Sequence, residues 1–549
     1  MARGGRFWER LGPRIHARSL GTTRGASVHK YPASGHKNPA SGHKNPAGHK
    51  TPALGPWSPY VVDEYYYASV AQRSIRAVAV LSLVAYKYAR SDAASMEQLH
   101  EECAELIFGM IARNKGLYVK LGQAIANQGA LFPAAYQARF ARLYDGAPAD
   151  PWEATDATLR RAWGPHYQTQ LFEHFERQPM ASASIAQVHR ARLKHGGAAV
   201  AVKVQHPYIS RQIHADLAVY RLMARVYSRV FGLPLDFAAQ YVSDQLATEA
   251  DFTHECRNSQ RLAACIAADA SARSLAVHVP DSYPQYAARQ VLVTEWIDGI
   301  PLTDRRRLVA ARVCLRRLMT QYLSIFAKQI FDYGFVHSDP HPGNILVRLR
   351  HGTQQMVILD HGLYIELAPR FQAQYGSLWR SVLALDRSQL AALADAWGIG
   401  SPDLLQAIVQ LRPPAAVRAE NAPSSADLLR MLLADRAKFP PDLLFLSRTM
   451  RMMQNLNQSM GSPVNRINLL TEVSLQSHLR SHASWADVWR YATVRVSLVV
   501  SNLVFWLFRA RQILLGDRYG DRGEGLEDYI DKYMKESARA IGIHFGDAA

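Results

Sequence analysis

The 549 residues, 48% of them hydrophobic, are more than one simple domain needs and ample for a sizeable core. The formal charge is +18, but residues 1–62 hold ten Lys/Arg against the single acid Glu9, so half of the excess lies in a stretch with no core-forming pattern, and no nucleic-acid partner is expected. Four widely spread cysteines (Cys103, Cys256, Cys265, Cys314) form no C-x-x-C pair, which excludes a disulfide framework and a zinc site and suits a reducing compartment, with all four read as buried thiols.

Along the chain, residues 1–26 carry Arg3, Arg6, Arg10, Arg14, Arg18 and Arg24 among Ser, Thr and Gly. A basic, acid-poor segment without an apolar core has the composition of an organelle transit peptide, and mitochondrial import is expected, with a plastid as the alternative. VHKYPASGHKNPASGHKNPAGHKTPA (28–53) repeats His-Lys and Pro-Ala; it cannot pack a core, and its lysines repel metal cations, so residues 1–58 read as a disordered tail and linker. AVAVLSLVAY (77–86) and VSLVVSNLVFWLF (496–508) fall short of the ~20 residues of a membrane span. They read as buried or interfacial helices whose basic flanks suit an anionic membrane surface. Residues 95–145 have helical periodicity, 179–204 and 290–296 read as strands, and 316–334 put Leu318, Met319, Tyr322, Phe326 and Ile330 on one helical face. Beyond about 365 the chain is mostly helical.

The chemistry concentrates in FVHSDPHPGNILV (335–347) and VILDHGL (357–363). Asp339 is followed five residues later by Asn344, and Asp360 stands sixteen residues further on, each acid in or after a strand-like run. That layout suits divalent metal and phosphate at a sheet edge. In AAVAVKVQHP (198–207), Lys203 projects from the strand face opposite Val200, Val202 and Val204, a costly position unless it meets an anion. The small residues Ala181, Ser182, Ala183 and Ser184 form a turn over which backbone N–H groups can approach phosphates.

As a set these features resemble a protein kinase. Val-Ala-Val-Lys203 is similar to the nucleotide-binding strand, His337-Ser-Asp339 with Asn344 to the catalytic loop, and Asp360-His-Gly362 to the metal-binding Asp-Phe-Gly. VLVTEWIDGI (291–300) resembles the hinge strand that bonds adenine through its backbone, near Glu295, Trp296 and Ile297. ATP is then the implied nucleotide. Lys203 meets the α/β oxygens, Asn344 and Asp360 give hard oxygens to Mg2+, and Asp339 accepts the proton of an attacking hydroxyl or water. One acid must hold Lys203, and Glu249, Asp251 and Glu255 are the candidates.

Three departures from protein kinases matter. The glycine-rich loop is replaced by the Ala/Ser loop, no Ala-Pro-Glu closes an activation segment, and Lys120-Leu-Gly122-Gln123, a K-x-G-Q motif, precedes the kinase-like region. With the E-x-D pair Glu249/Asp251 and HSDPHPGN, the chain is identified as a member of the UbiB (aarF-domain) family of atypical kinases, and ASIAQVH and DHGLY look most like its mitochondrial branch. The resemblance implies an α+β bilobal kinase-like fold: a helical extension with the K-x-G-Q helix (59–150), an N-lobe (151–300), a C-lobe (301–400) and a helical C-terminal extension (401–549). It implies that the K-x-G-Q helix covers the active site against protein substrates, and that Lys120 and Gln123 lie by the nucleotide. Lys120 would contact the E-x-D acids, chiefly Glu249, and Glu255 would hold Lys203. It further implies an Ala loop that tunes nucleotide preference, and a role in coenzyme Q or lipid metabolism at membranes with a lipid or prenyl-quinone-like partner. Ser182 interrupts the usual all-alanine loop, and His361 stands where kinases have Phe. The competing reading is a nucleotide-binding pseudokinase scaffold without catalysis.

Overall fold

The computed structural model describes residues 66–91, 96–126, 134–144, 149–231, 235–350, 352–384, 386–399, 405, 440, 442–481 and 485–516. The transit-like tail, the His-Lys repeat and residues 406–439 lie outside them. The N-terminal extension has its own core. Helices α1 (Tyr66–Arg90), α2 (Met96–Asn114), α3 (Leu117–Ala126) and α4 (Ala134–Ala141) each turn an apolar stripe inward. Ala77, Val84, Cys103, Met110, Tyr118 and Phe140 meet there, together with Val219 and Met223 of the long helix over Ile209–Phe231. Segment 77–86 is therefore the middle of a helix buried along one face.

After α5 (Trp152–Trp163), the N-lobe is an antiparallel sheet. Its order is β1 (Phe172–Phe175), β3 (Ala186–Leu193), β4 (Ala199–Gln205), β6 (Val291–Glu295), with β2 (Ala181–Ser182) paired to β3. Strand alternation decides its two faces. Val200, Val202 and Val204 are buried against Leu159, Tyr167 and Phe172, which leaves Lys203 on the other face. That other face is covered through α6 (Ile209–Phe231), α7 (Leu235–Glu249) and α8 (Phe252–Ala268): Phe252 of α8 packs with Ile185, Tyr208 and Leu292.

The C-lobe forms around α9 (Leu315–Lys328). Leu318, Met319, Tyr322, Phe326 and Ile330, the face read from periodicity, are all fully buried in one large cluster. The helix loosens into a π-turn over Gln329–Tyr333 and stops at Gly334, whose φ of 62° is the left-handed conformation favoured at helix ends. This stop aims β8 (Phe335–His337) straight into Ser338-Asp339. A sheet of order β5 (Val277–His278), β10 (Thr353–Ile358), β9 (Ile345–Arg350), β7 (Ile300–Pro301) carries Asn344 before β9 and Asp360 after β10. Strand β11 (Tyr364–Glu366) pairs antiparallel with β8, Tyr364 opposite His337.

Helices α10 (Pro369–Ala384), α11 (Arg387–Ala396), α12 (Asp442–Ser459) and α13 (Arg466–Ser481) add to the C-lobe core, and α14 (Trp485–Gly516) follows. The architecture is the bilobal, kinase-like α+β fold with helical extensions. One expectation is corrected: of the four cysteines Cys314 is exposed and Cys265 half-buried. Segment 496–508 lies on α14 and is largely exposed, which sets aside the buried one of its two readings. Among the described residues no helix is long and apolar enough to cross a membrane.

Candidate active site

The charged groups converge where β4, the start of α8, the loop after β8 and the end of β10 meet. Lys203 Nζ donates to both carboxylate oxygens of Glu255, each at 2.8 Å, lies 4.0 Å from Asp360 Oδ1 and sits 5.0 Å from the centre of the Phe252 ring. Burial would strip its proton, but Asp360 and then Glu255 hold its ammonium above the ordinary lysine value. Burial pushes the Glu255 carboxyl up, to about 7, against the pull of Lys203. Of the three acids open from sequence, Glu255 is the one that grips Lys203.

The catalytic-loop segment is braced from beneath. Gln329 Oε1 accepts the His337 N–H at 2.8 Å, and His337 Nδ1 accepts the Asp339 N–H at 3.2 Å. His337 is buried, stacked on Tyr364, and burial lowers its pKa, so it is a neutral strut under Asp339. A one-turn 3-10 helix at Pro342–Asn344 brings Asn344 Nδ2 to 3.5 Å from Asp360 Oδ2. Asp360 Oδ1 accepts the Gly362 N–H at 2.8 Å. Burial would raise the Asp360 carboxyl, but Lys203 and Lys120 outweigh it and keep it well below the usual carboxylate range. A Cβ on Gly362 would stand 3.2 Å from Asp360 Oδ1 and 3.4 Å from Glu249 Cγ, so a side chain there would crowd the Asp360 carboxylate.

Asn344 and Asp360 fit Mg2+. Amide oxygen and nitrogen exchange by a half-turn, so the pair can present two hard oxygens at one edge. Among the described residues no cluster of three His, Cys, Asp or Glu could hold a metal, which leaves the rest of such a shell to phosphate and water.

Helix α3 supplies a second cation. Lys120 forms an ion pair with Glu249 at the end of α7. Burial would lower its ammonium, but Glu249, Asp339 and Asp360 raise it, which puts Lys120 in the field of both catalytic-type carboxylates. Gln123 donates to the Leu143 carbonyl at 3.1 Å, a bond that holds α3 to its own extension.

One further expectation is corrected. Asp251 faces away from the cluster's work: it caps α8, accepting the Thr253 amide at 3.0 Å and hydroxyl at 2.7 Å, because the first N–H groups of a helix lack intrahelical acceptors. The Glu295 side chain and amide are engaged elsewhere, so a hinge contact from this residue would use its carbonyl. Its carboxylate bonds His278 at 2.6 Å and Arg348 at 2.9 Å, latching the hinge to the C-lobe. Its amide is bonded to Asp281 and that of Trp296 to Ala199, so an adenine donor would have to come from Ile297 onward.

The Ala181–Ser184 turn closes tightly, with Ala183 N donating to the Ala186 carbonyl at 2.8 Å. Its anchor was not legible: the buried His206 bonds the Ala183 carbonyl at 2.8 Å and Asp150 at 2.7 Å. A second residue missed from sequence is Arg448 of α12, whose Nη2 donates to Asp339 Oδ1 at 3.2 Å. Its only sequence signal is a cation on an apolar helix.

His361 explains how a histidine replaces Phe. Nε2 bonds the Ile358 carbonyl at 3.0 Å, Nδ1 accepts from the Tyr364 hydroxyl at 2.9 Å, and the ring stacks on Tyr364. Burial, then His337, pushes it down to about 3. A base held neutral by the fold stabilises fully above its unfolded pKa of about 6.5 and less as pH falls towards the folded value. Stability should therefore drop by about 2 kcal/mol from this group between pH 6.5 and 5. His361→Phe keeps the stack but cannot charge. Its urea midpoint should start lower, because the Tyr364 hydroxyl and Ile358 carbonyl lose partners, and then fall less with acid. Equal acid slopes would contradict this assignment.

Comparison with known proteins agrees with the geometry. A family model described as the ABC1 atypical kinase-like domain matches residues 142–394. The ABC1 family protein lscO of Purpureocillium lilacinum is 33% identical over 544 residues, 89% of this chain and 90% of that protein. An ABC1 family protein of Schizosaccharomyces pombe is 36% identical over 434 residues, 76% of this chain and 81% of its own length. The AarF domain-containing kinase 1 of Drosophila melanogaster is 35% identical over 311 residues, 56% of this chain and 58% of that protein.

Proposed function

The chain belongs to the ABC1 (aarF-domain, UbiB) family of atypical kinase-like proteins, and from that premise we propose that it is a Mg-ATP-dependent enzyme, a kinase or ATPase acting on a lipid or prenyl-quinone-like molecule in mitochondria. The observation that carries this reading is the cluster of Lys203, gripped by Glu255, within 4.0 Å of Asp360, which in turn lies 3.5 Å from Asn344. Two cations, Lys203 and Lys120, share the space with Asp339 and Asp360, which suits a polyphosphate better than a neutral ligand. Lys203 orients the α/β phosphates. Asn344 and Asp360 would hold Mg2+, which when bound neutralises the β/γ oxygens. Asp339, at the open end of the braced loop, takes the proton of the acceptor hydroxyl or water. Lys120 helix α3 supports an acceptor smaller than a protein. The arginine-rich segment 1–26 supports the mitochondrial address.

The test is phosphate release from Mg-ATP by the full chain with anionic vesicles present. Asp360→Asn should lower it by about 100-fold or more, since it removes the charged member of the metal pair. Equal turnover by both proteins would refute the reading. One observation favours the scaffold alternative: Arg448 already engages the Asp339 carboxylate. On that reading Asp339→Asn would bind nucleotide and rescue a null cell as well as the wild type.

A further inference from the structure

Helix α14 is the longest described element, and its two faces differ sharply. Val494, Leu498, Phe505 and Gln512 are buried along one side. That side is pinned by polar contacts: Asn468 donates to the Leu498 carbonyl at 2.8 Å, Asn465 to the Ser501 hydroxyl at 3.2 Å, and Arg509 to the Gly461 carbonyl at 2.8 Å. The opposite side carries Val496, Val499, Val500, Leu503, Val504 and Leu507, with Trp506 at its margin, all between 39% and 66% exposed. The spacing of three and four residues lines them up as one stripe over three turns. Of the large exposed apolar residues in the described chain, seven lie on this helix and eight are spread over the rest, so the stripe is a single surface and not scattered apolar residues.

The charges around it are mainly basic. The α14 sequence holds Arg490, Arg495, Arg509 and Arg511 against the single acid Asp487, and Arg495 is offset by a neighbouring helix, through Glu472 of α13 at 3.3 Å. The exposed Arg316 of α9 lies over the Trp506 ring at 4.7 Å, and Arg317 beside it in sequence is exposed as well. Burial and then Arg316 lower the Arg509 guanidinium, which marks a local cluster of cations at the Trp506 end.

We propose that this face of α14 is a membrane-docking ridge that lies in the headgroup region of an anionic bilayer, with Val496–Leu507 against the acyl boundary and Trp506, Arg316, Arg317 and Arg511 at the headgroups. The choice of occupant follows from charge. A second copy seated on the same stripe would bring its arginines against these, whereas anionic headgroups complement them. Tryptophan and arginine beside an apolar stripe are the composition that sits at a bilayer interface. Because the other face is fixed to α13 and to the Gly461 turn, the ridge would set the orientation of the C-lobe on the membrane. The inference concerns a surface outside the catalytic cluster and is read without nucleotide.

The test is flotation of the full chain with vesicles of phosphatidylcholine alone and of phosphatidylcholine with phosphatidylglycerol, comparing wild type with Val499→Ser/Leu503→Ser/Leu507→Ser and with Arg316→Gln/Arg511→Gln. All five positions are exposed, so thermal melting should show unchanged folding. The wild type should float with the anionic vesicles, and the serine variant should bind about tenfold or more weakly. The glutamine variant should lose the preference for anionic lipid. The basic tail is present in every protein, so differences among them read α14. Unchanged binding by the serine variant would assign lipid contact to the tail and overturn the proposal. So would loss of binding only in an Ile75→Ser/Leu83→Ser variant of the exposed face of α1, or a wild-type dimer that the serine variant abolishes with no vesicle binding. Absence of ATP turnover in all the proteins would bear on the catalytic reading and leave these outcomes as they stand.

Discussion

Lys203→Met is expected to reduce Mg-ATP turnover by about 10²- to 10³-fold, the scale set by removing one preorganised charge-stabilising donor from a site. The effect has two sources. The α/β phosphates lose their cation, and Glu255, buried and already pushed up to about 7 with Lys203 in place, loses the charge that keeps it ionised. Glu255 would then be protonated at neutral pH, and the Asp360 side of the cluster would have only Lys120 to offset it. Phosphate release and nucleotide titration on the same preparation check this: binding should weaken along with turnover. A variant within tenfold of wild type would remove Lys203 from the mechanism.

The second large effect is structural. Arg73→Met should destabilise the chain by about 3–5 kcal/mol, the cost of stranding one member of a buried ion pair. Arg73 Nη2 lies 2.6 Å from Asp216 Oδ2, and both side chains are buried. The guanidinium also bonds the Asn114 carbonyl, while Asn114 returns a bond to the Arg73 carbonyl at 3.2 Å and accepts from Arg76 at 2.7 Å. Asn114 ends α2, and the next two residues, Lys115 and Gly116, both have φ of 55°. Arg73 therefore fixes the left-handed turn that aims α3, and with it Lys120. Chemical denaturation measures the loss, and adding Asp216→Leu should restore a good part of it because the stranded carboxylate disappears. A single-variant cost under about 1 kcal/mol would show that the pair is dispensable.

How much of this could be read from the sequence differed by the kind of signal. Strand alternation around Lys203 and the apolar face of 316–334 carry their own periodicity, so element, face and burial were all legible. The Asp339, Asn344 and Asp360 spacing was legible because the loop and hairpin that join them are short. Partners contributed by distant segments were not. Arg448 meets Asp339 across 109 residues and His206 meets Asp150 across 56, and neither leaves a local pattern. Asp251 was misread although its cue was present: an acid directly before a helical run is a capping position. Segment 496–508 was half legible. A continuous apolar run announces a helix, but apolar residues on every side hide which face the protein covers, and only the packing of α13 against α14 decides it.

The most direct test of the central claim is calorimetric titration of the full chain with ATP, with and without Mg2+, beside Asp360→Asn. A working nucleotide site predicts saturable binding that strengthens with Mg2+ in the wild type and loses that Mg2+ dependence in the variant. Absence of ATP binding, or binding indifferent to both Mg2+ and Asp360, would contradict the assignment of Lys203, Asn344 and Asp360 to a Mg-ATP site.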